Sequence, residues 1–427
     1  MFPWRELIEL ILRSVPVFLQ RGELLIIFLV VLLLVHAQYQ RVAQVERAAF
    51  GQPLTDPTRN TLIALLYGLG GGVLGTAAFV FLGISLVEVG VLYLWMLALV
   101  LMALHPRFVC FAYAGGILSL TNLLFGWPAL SVPAVMGLVS ILHLVEALLI
   151  WVHGPQDASP VYVRRSDGRV VGGFTLQKFW PLPFIALVGF VMAQDLLTDA
   201  VLAMPDWWPL IEPLGEAPEG QTYVYVLFPV VAALGYGDIA ITRSPREKAR
   251  RTAGALLAYS ATLLALALLG VRHPLWQWLA ALFSPLGHEL VIYLGRWAEE
   301  RGEPLFDGNR GAVVLGVFPG SPAAEMGLRT GDVIRQVNGY PVNSKADLAA
   351  VLSPWAVGVT VEVENITDGT RRTVQYPGKV PPLGVILAPA GADPGFMDMG
   401  DRRNYGWLLR RLSRRIAAWR EGTRRGP

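Results

Sequence analysis

Charged residues and cysteine are both scarce in this sequence of 427 residues. Only 16% of the residues are charged, whereas soluble domains typically contain about 25%. Hydrophobic residues make up 54%, and the mean hydropathy is +0.49, so the composition excludes an ordinary soluble protein and indicates a chain that lies largely in lipid. The single cysteine, Cys110, excludes an internal disulfide; it falls in an apolar run, where we expect it to act as a small buried hydrophobe.

The first residues lack the uninterrupted apolar run of a signal peptide. Charged side chains interrupt the apolar residues at Arg5, Glu6, Glu9 and Arg13, so no cleavable signal peptide is expected. Residues 1–22 are predicted instead to form an amphipathic segment that lies in the membrane interface.

Apolar runs long enough to cross a bilayer recur over residues 23–297. They predict a helical membrane domain with about eight or nine spans. The predicted spans are Leu24–Ala37, Thr61–Phe81, Val87–Leu104, Phe108–Phe125, Leu130–Trp151, Pro181–Ala203, Tyr223–Ile241, Ala253–Val271 and Leu275–Leu294.

The charge of the loops alternates along this region. Loops 38–60, 152–179 and 242–252 are rich in arginine and lysine, whereas loop 204–222 contains four acidic residues and no basic one. The positive-inside rule therefore predicts that the three basic loops are cytoplasmic. If Leu275–Leu294 crosses the membrane fully, the region after it is cytoplasmic too; if that segment enters and returns, this conclusion reverses.

The pair His288-Glu289 begins like a zinc-protease motif but does not complete it. A His-Glu-x-x-His helix places two imidazoles on one face, and the second position here is Ile292. Site-2-type intramembrane proteases also take a third ligand from a later membrane span, and no apolar span follows residue 297. We therefore predict no catalytic residue, no metal and no cofactor. Pro285 and Gly287 predict a kink, at which the pair would satisfy freed backbone groups.

Other ionisable residues fall within the predicted spans. They are His143, Glu146, Asp195, Asp199 and Asp238. Residues of this kind inside a membrane are candidates for a proton or ion path. Because the aspartates lie toward span ends and no inverted repeat is evident, interfacial or packing roles are favoured, and a transporter remains an alternative.

Residues 303–390 have the composition of a soluble α/β module. Ser321 and Ser344 are predicted helix N-caps, and Asn338-Gly339 and Asp368-Gly369 are predicted hairpin turns. The run GAVVLGVFPGSPAAEMGLRTGDVIRQVNGYPV resembles a PDZ domain of the bacterial, circularly permuted type, and the resemblance covers Arg310–Pro389. The expected fold class is thus an α-helical multispan membrane domain followed by a small α+β PDZ domain and a basic amphipathic tail.

The PDZ resemblance implies a groove that binds an extended peptide. In the permuted form Pro382-Leu383-Gly384-Val385 matches the family's carboxylate-binding loop, with the departure that Pro382 has no N–H. The facing helix is Ser344–Leu352. The implied peptide-binding residues are Lys379, Leu383, Gly384, Val385, Leu387, Leu348, Val351 and Leu352. For Leu348 and Leu352, packing in the domain core is an equally good interpretation.

The segment 391–427 ends in a strongly basic stretch. Residues 402–425 contain nine arginines and one glutamate, with apolar residues at helical spacing. This pattern predicts an amphipathic helix that binds anionic lipid rather than nucleic acid. The predicted membrane-surface residues are Arg410, Arg411, Arg414, Arg415, Trp407 and Trp419.

The order of these regions resembles a known architecture. A multispan region that ends in a PDZ domain, with the segments LQKFWPLPFI (Leu176–Ile185) and FSPLGHELVIYLGR (Phe283–Arg296), is similar to the MinJ-like topological determinants of cell division in Gram-positive bacteria. The resemblance implies a non-enzymatic membrane scaffold at the septum or poles, which bridges a coiled-coil division-site protein to the Min proteins. The alternatives are a divergent intramembrane protease and a PDZ-regulated transporter.

Overall fold

The computed structural model describes residues 2–196, 202–215, 217–352, 356–380, 382–390 and 397–398. Nine helices precede the PDZ-like module in the described chain: α1 (Trp4–Gln20), α2 (Gly22–Phe50), α3 (Pro57–Leu82), α4 (Leu86–Val89), α5 (Val91–Leu104), α6 (Phe111–Phe125), α7 (Val132–His153), α8 (Pro245–Arg272) and α9 (Pro274–Arg301). By length and composition, α2, α3, α7, α8 and α9 are long and apolar enough to cross a membrane. The chain is a membrane protein.

Helices α5 and α6 form a pair that enters the helical domain and returns. They contain 14 and 15 residues, so each is about 21–23 Å long, less than the roughly 30 Å hydrocarbon core of a bilayer. A 3-10 turn, Pro106–Val109, lies between them. The N–H of Ser131, after α6, donates to the carbonyl of Glu88, before α5, at 2.8 Å. The outer ends of the two helices therefore lie close together, and the turn is at the far end of the pair, which we call the re-entrant pair.

Two of the predicted helical spans are strands. Strands β2 (Val170–Ala193) and β3 (Gln221–Ala240) form one long antiparallel hairpin, in register from Phe174 opposite Ala240 to Ala193 opposite Gln221. The prediction of helices at Pro181–Ala203 and Tyr223–Ile241 is therefore wrong wherever these residues are described. Strand β1 (Ser159–Arg164) pairs with the start of β2, and β10 (Met397–Asp398) pairs with β1.

Proline favours the strand over the helix in β2. Pro181 and Pro183 lie where one edge of β2 faces α3, and their carbonyl oxygens approach Gly68 and Gly72 so closely that a Cβ at either glycine would lie within about 2 Å of them. Proline has no N–H, so it interrupts a helix, but at a strand edge without a partner strand it leaves no unpaired donor. The edge that faces α3 therefore has fewer N–H groups that need a hydrogen-bond partner.

Hydroxyl groups accept two of the N–H groups on this edge. The Thr76 Oγ1 atom accepts from the Ile185 N–H at 2.8 Å, and the Ser85 Oγ atom accepts from the Gly189 N–H at 2.9 Å. Thr76 belongs to α3 and Ser85 follows it. The hairpin is thus fixed against α3 by side-chain hydrogen bonds, in addition to backbone contact at the glycines.

Helix α9 runs without a break through Pro285, so the predicted kink does not interrupt the helix. Its 28 residues span about 42 Å, enough to cross a bilayer. At its end, Arg165 from the second basic loop donates to the carbonyls of Gly302 and Glu300 at 2.7 and 2.8 Å. This arginine satisfies carbonyls at the helix C-terminus, where positive charge is favourable.

The module after α9 is a small α+β domain. Its elements are β4 (Ala312–Val317), α10 (Pro322–Glu325), β5 (Asp332–Val337), β6 (Tyr340–Pro341), α11 (Lys345–Val351), β7 (Ala356–Asn365), β8 (Arg371–Val380) and β9 (Val385–Leu387). The sheet order is β8-β7-β5-β4-β9, with β6 paired to β5. Ser321 and Ser344 cap α10 and α11 as predicted. The predicted fold class, a helical membrane domain followed by a small α+β domain, is confirmed.

One face of the β4–β9 sheet packs against the membrane domain. Val313 and Leu315 of β4 are fully buried and belong to the same apolar core as the long helices, together with Ile386 of β9. The Leu315 side chain lies over Gly172 of β2, and Pro160 of β1 lies over Gly316. The opposite face of β4, with Ala312 and Val314, forms the domain's own core. Both faces of this sheet are therefore covered.

Candidate peptide-binding groove

Strand β9 has one edge that no strand within the described residues occupies. Its other edge pairs with β4: the Gly384 carbonyl accepts from the Phe318 N–H at 2.9 Å, and the Ala388 N–H donates to the Val313 carbonyl at 2.8 Å. Alternate residues of a strand direct their main-chain groups to opposite edges. The N–H and C=O groups of Val385 and Leu387 therefore face the open edge.

The loop before β9 is held in place by its carbonyl groups. The Leu383 carbonyl accepts from the Ala323 N–H of α10 at 2.9 Å. Gly384 has a φ of 82°, in the left-handed region that favours glycine. A Cβ at Gly384 would lie 2.2 Å from the Cβ of Ser321, so this position accepts no side chain without rearrangement. The conformation of the loop thus depends on this glycine.

The implied groove residues fall into three groups. Leu348, Leu383 and Leu387 are between 4% and 8% exposed and belong to the core of the small domain, which fits the interpretation of Leu348 as a packing residue. Val385 of β9 and two residues at the end of α11, Val351 and Leu352, are only partly buried against the same core. Lys379 is exposed on β8. The partly buried residues and the exposed Lys379 are the ones still able to contact a ligand.

A tyrosine from the membrane domain reaches the open edge of β9. The Tyr162 hydroxyl, on β1, donates to the Leu387 carbonyl at 2.9 Å. The ring of Tyr162 packs edge-on against Phe50, with centroids 5.8 Å apart. The Leu387 carbonyl is one of the groups that an added strand would use, so the membrane domain contacts the groove itself.

Comparison with known proteins identifies the small domain and the architecture. The PDZ domain family matches residues 294–376. The cell division topological determinant MinJ of Bacillus subtilis is 25% identical over 261 residues, 60% of this chain and 61% of MinJ. The chain is thus similar to MinJ and contains a PDZ domain. The PDZ match ends before β9, so the open edge is assigned from the sheet order.

Shorter similarities connect the chain to proteases that contain PDZ domains. The magnetosome formation protease MamE of Paramagnetospirillum magneticum is 32% identical over 117 residues, 27% of this chain and 16% of MamE. The periplasmic serine endoprotease DegP of Escherichia coli K12 is 40% identical over 68 residues, 16% of this chain and 14% of DegP. The chain spans about three fifths of MinJ and under a fifth of each protease, so none of these proteins alone fixes its activity.

The structure places His288 and Glu289 against the re-entrant pair. The Tyr113 hydroxyl donates to the Glu289 carboxylate at 2.7 Å, and Arg107 forms an ion pair with it at 3.1 Å. His288 lies beside Tyr113, with the Nδ1 atom 3.3 Å from the hydroxyl. Glu289 thus ties α9 to the turn of the re-entrant pair, and position 292 remains isoleucine.

Among the described residues, the other ionisable residues of the predicted spans do not form a continuous path. Asp195 is exposed in a 3-10 turn at the tip of the hairpin, and Asp238 pairs with Lys248 at 3.3 Å near the basic loops. Glu146 lies one turn after His143 on α7. Asp199 and the tail residues Arg410, Arg411, Arg414, Arg415, Trp407 and Trp419 lie outside the described residues.

Proposed function

We propose that this protein is a non-enzymatic membrane scaffold in cell division, which captures an extended peptide of a partner protein along β9. The open edge of β9 carries this proposal. A PDZ domain binds a peptide as an added strand, through main-chain hydrogen bonds on one side and side-chain pockets on the other. The outward N–H and C=O groups of Val385 and Leu387 would form the main-chain hydrogen bonds. The partly buried Val351 and Leu352 would line the side-chain pocket.

In this proposal the loop before β9 holds the peptide's terminal carboxylate. Consecutive main-chain N–H groups in a turn form a concave site for an anion. Since Pro382 has no N–H, the donors begin at Leu383 and continue through Gly384 and Val385. The side chain of Lys379 adds positive charge to the same end of the domain. The last side chain of the peptide would then contact Val385 and the end of α11.

We place the groove on the cytoplasmic side, with the three basic loops. Three contacts support this placement: Arg165 binds the end of α9, Lys248 lies 3.8 Å from Glu299 of α9, and Ser159 donates to Glu46 of α2. These contacts bring all three loops to the end of the helical domain that carries the PDZ domain. Basic loops stay in the cytoplasm, and the PDZ domain would remain with them. The similarity to MinJ supports septal or polar placement, with division-site coiled-coil and Min proteins as partners.

The experiment that tests peptide capture is a localisation assay with Val385→Glu. The substitution places a carboxylate beside the site proposed for the ligand's carboxylate, so we expect septal enrichment of a fluorescent fusion to be lost while its level in the membrane is unchanged. Thr373→Glu, on the exposed β8 face, adds the same charge away from the groove and serves as the control. Gly384→Trp is unsuitable, because its Cβ would collide with Ser321 and disturb folding.

A second variant separates the scaffold from an intramembrane protease. Glu289→Gln keeps the size of the side chain and its ability to hydrogen-bond with Tyr113, but removes a general base. We expect normal localisation and division with this variant. A complete loss of function in Glu289→Gln, together with normal function in Val385→Glu, would contradict the proposal and favour an enzyme.

A further inference from the structure

Three side chains that are distant in the sequence meet inside the helical domain. Cys110 precedes α6 at the turn of the re-entrant pair, His143 lies midway along α7, and His288 lies midway along α9. The Cys110 Sγ atom is 3.1 Å from Nε2 of His143 and 3.7 Å from Nε2 of His288. The three potential ligand atoms all lie within 4.8 Å of one another. Both histidines are central in helices long enough to cross a membrane, so the cluster lies about midway along the helical domain.

In each imidazole, the hydrogen bond made by Nδ1 determines whether Nε2 carries a proton or a lone pair. The His143 Nδ1 atom is 2.7 Å from the Val139 carbonyl, which only accepts, so Nδ1 carries the proton. The Tyr113 hydroxyl gives its proton to the Glu289 carboxylate, so its oxygen accepts from His288 Nδ1. In the neutral rings both Nε2 atoms then present lone pairs to Cys110.

A single thiol cannot satisfy both lone pairs. Cys110 has one S–H, which can donate to either His143 or His288 but not to both. A buried acceptor without a donor is costly, and more so in a membrane. A cation between the three atoms would satisfy both nitrogens and a thiolate together. The Cys110 Sγ atom also accepts from the Ala112 N–H at the start of α6, which fixes the position of the sulfur beside the two imidazoles.

We propose that Cys110, His143 and His288 bind a single Zn²⁺ ion. Zinc takes thiolate and imidazole ligands at about 2.3 and 2.0–2.1 Å, so ligand atoms at tetrahedral angles lie about 3.3–3.6 Å apart. The two S···N distances in the structure, 3.1 and 3.7 Å, lie on either side of this range. The hydrogen bonds from Nδ1 to Val139 and Tyr113 are the outer contacts by which proteins orient histidine ligands of metals.

The site would fasten the re-entrant pair to the two helices that flank it. One ligand comes from the start of α6, one from α7 and one from α9, so the ion would cross-link three separate segments midway along the helical domain. Three protein ligands leave a fourth position for water or another ligand. The proposal departs from the sequence-based prediction of no metal, which rested on the absence of a histidine at position 292 and of a later membrane span that could supply a third ligand.

Metal content of the purified full-length protein tests the site. The protein is produced with an affinity tag that lacks histidine, purified in detergent, and analysed by inductively coupled plasma mass spectrometry. We expect about one Zn²⁺ per chain, and strong loss of zinc in Cys110→Ala and His143→Ala. His36→Gln is the matched control, because His36 is bound to Thr61 away from the cluster and should leave the zinc content unchanged.

Two further measurements keep the test valid if a ligand variant fails to fold. Tyr113→Phe removes only the hydroxyl that orients His288, and should weaken zinc binding about 10- to 100-fold in a chelator competition. In the unchanged protein, Cys110 is the sole cysteine, so alkylation by a membrane-permeant maleimide yields at most one adduct by mass spectrometry. We expect alkylation to be slow until a chelator is added.

Other outcomes would overturn the proposal. Wild-type protein that contains no zinc after growth and purification with added zinc, and whose alkylation rate is unaffected by a chelator, would show that the cluster is a thiol–imidazole hydrogen-bond network. Zinc that persists in Cys110→Ala and His143→Ala, but disappears in His36→Gln, would place the ion elsewhere.

Discussion

The hydrogen bond between Tyr162 and Leu387 predicts that the membrane domain weakens peptide binding. A peptide added along β9 needs the Leu387 carbonyl as an acceptor for one of its own N–H groups, and the Tyr162 hydroxyl already occupies that acceptor at 2.9 Å. Tyr162→Phe removes the hydroxyl and keeps the ring, which packs edge-on against Phe50. The substitution therefore frees the carbonyl without opening a cavity between the two domains.

The size of the effect follows from the strength of one hydrogen bond. A neutral hydrogen bond contributes about 0.5–1.5 kcal/mol net, and about 1.4 kcal/mol corresponds to a tenfold change in Kd. If the peptide displaces the Tyr162 hydroxyl completely, Tyr162→Phe should tighten binding about 2- to 12-fold. Since a carbonyl oxygen has two lone pairs, a hydroxyl that stays in place alongside the peptide would give a smaller gain.

The assay uses the full-length protein in lipid nanodiscs. A peptide ligand is first selected from a display library with random C-terminal sequences, and its Kd is then measured by fluorescence anisotropy for the original protein and for Tyr162→Phe. Tyr340→Phe makes the same chemical change at a tyrosine that is 64% exposed on β6, and should leave Kd unchanged. Equal or weaker binding by Tyr162→Phe would refute the idea that the two hydrogen bonds compete.

Two further predictions concern the orientation of the chain and its basic tail. A cysteine introduced as Thr373→Cys should be protected from an impermeant thiol reagent in intact cells, while one introduced as Glu212→Cys should react; the reverse pattern would place the PDZ domain outside. In a peptide of residues 402–427, Trp419 fluorescence should shift to the blue on anionic vesicles, and added salt should reverse the shift. An equal shift on neutral vesicles would exclude an electrostatic contribution to lipid binding.

The sequence predicts the helices of the membrane domain more securely than its strands. Hydropathy measures only whether a segment is apolar, and the runs that became β2 and β3 are as apolar as the helices beside them. The prolines in these runs distinguish strands from helices. Pro181 and Pro183 each remove a donor from the edge of β2 that faces α3, and Pro229 lies opposite Ile185 on β3. Three prolines within two predicted spans are more consistent with strands than with straight helices.

The small domain was predictable in its local elements but not in the exposure of its groove. Ser321 and Ser344 are caps because their hydroxyls accept N–H groups within four residues along the chain, which spacing alone reveals. Whether Leu348 packs in the core or contacts a ligand depends on distant strands, and the structure places it in the core. The Gly384–Ser321 contact joins positions 63 residues apart and leaves no local signal.

The cluster of Cys110, His143 and His288 lay beyond prediction for the same reason. Metal motifs are recognised when two ligands share one helix turn, and here each ligand comes from a different segment. The sequence does indicate the position of each histidine along its helix, because each lies near the middle of a predicted or observed apolar helix. Polar residues at equal depth in neighbouring spans are a weaker signal than spacing, because they require knowledge of which helices are neighbours.

The composition of β4 links the groove to the membrane. The run Ala312–Val317 contains no polar residue, and a strand of this kind is buried on both faces. An isolated PDZ domain would leave one face of β4 in water, so the sequence itself requires a cover. The membrane domain provides it through β1 and β2, which also carry Tyr162 to the open edge of β9. Because the same contact both attaches the PDZ domain and touches the groove, a peptide bound in the proposed groove would be connected mechanically to the membrane domain.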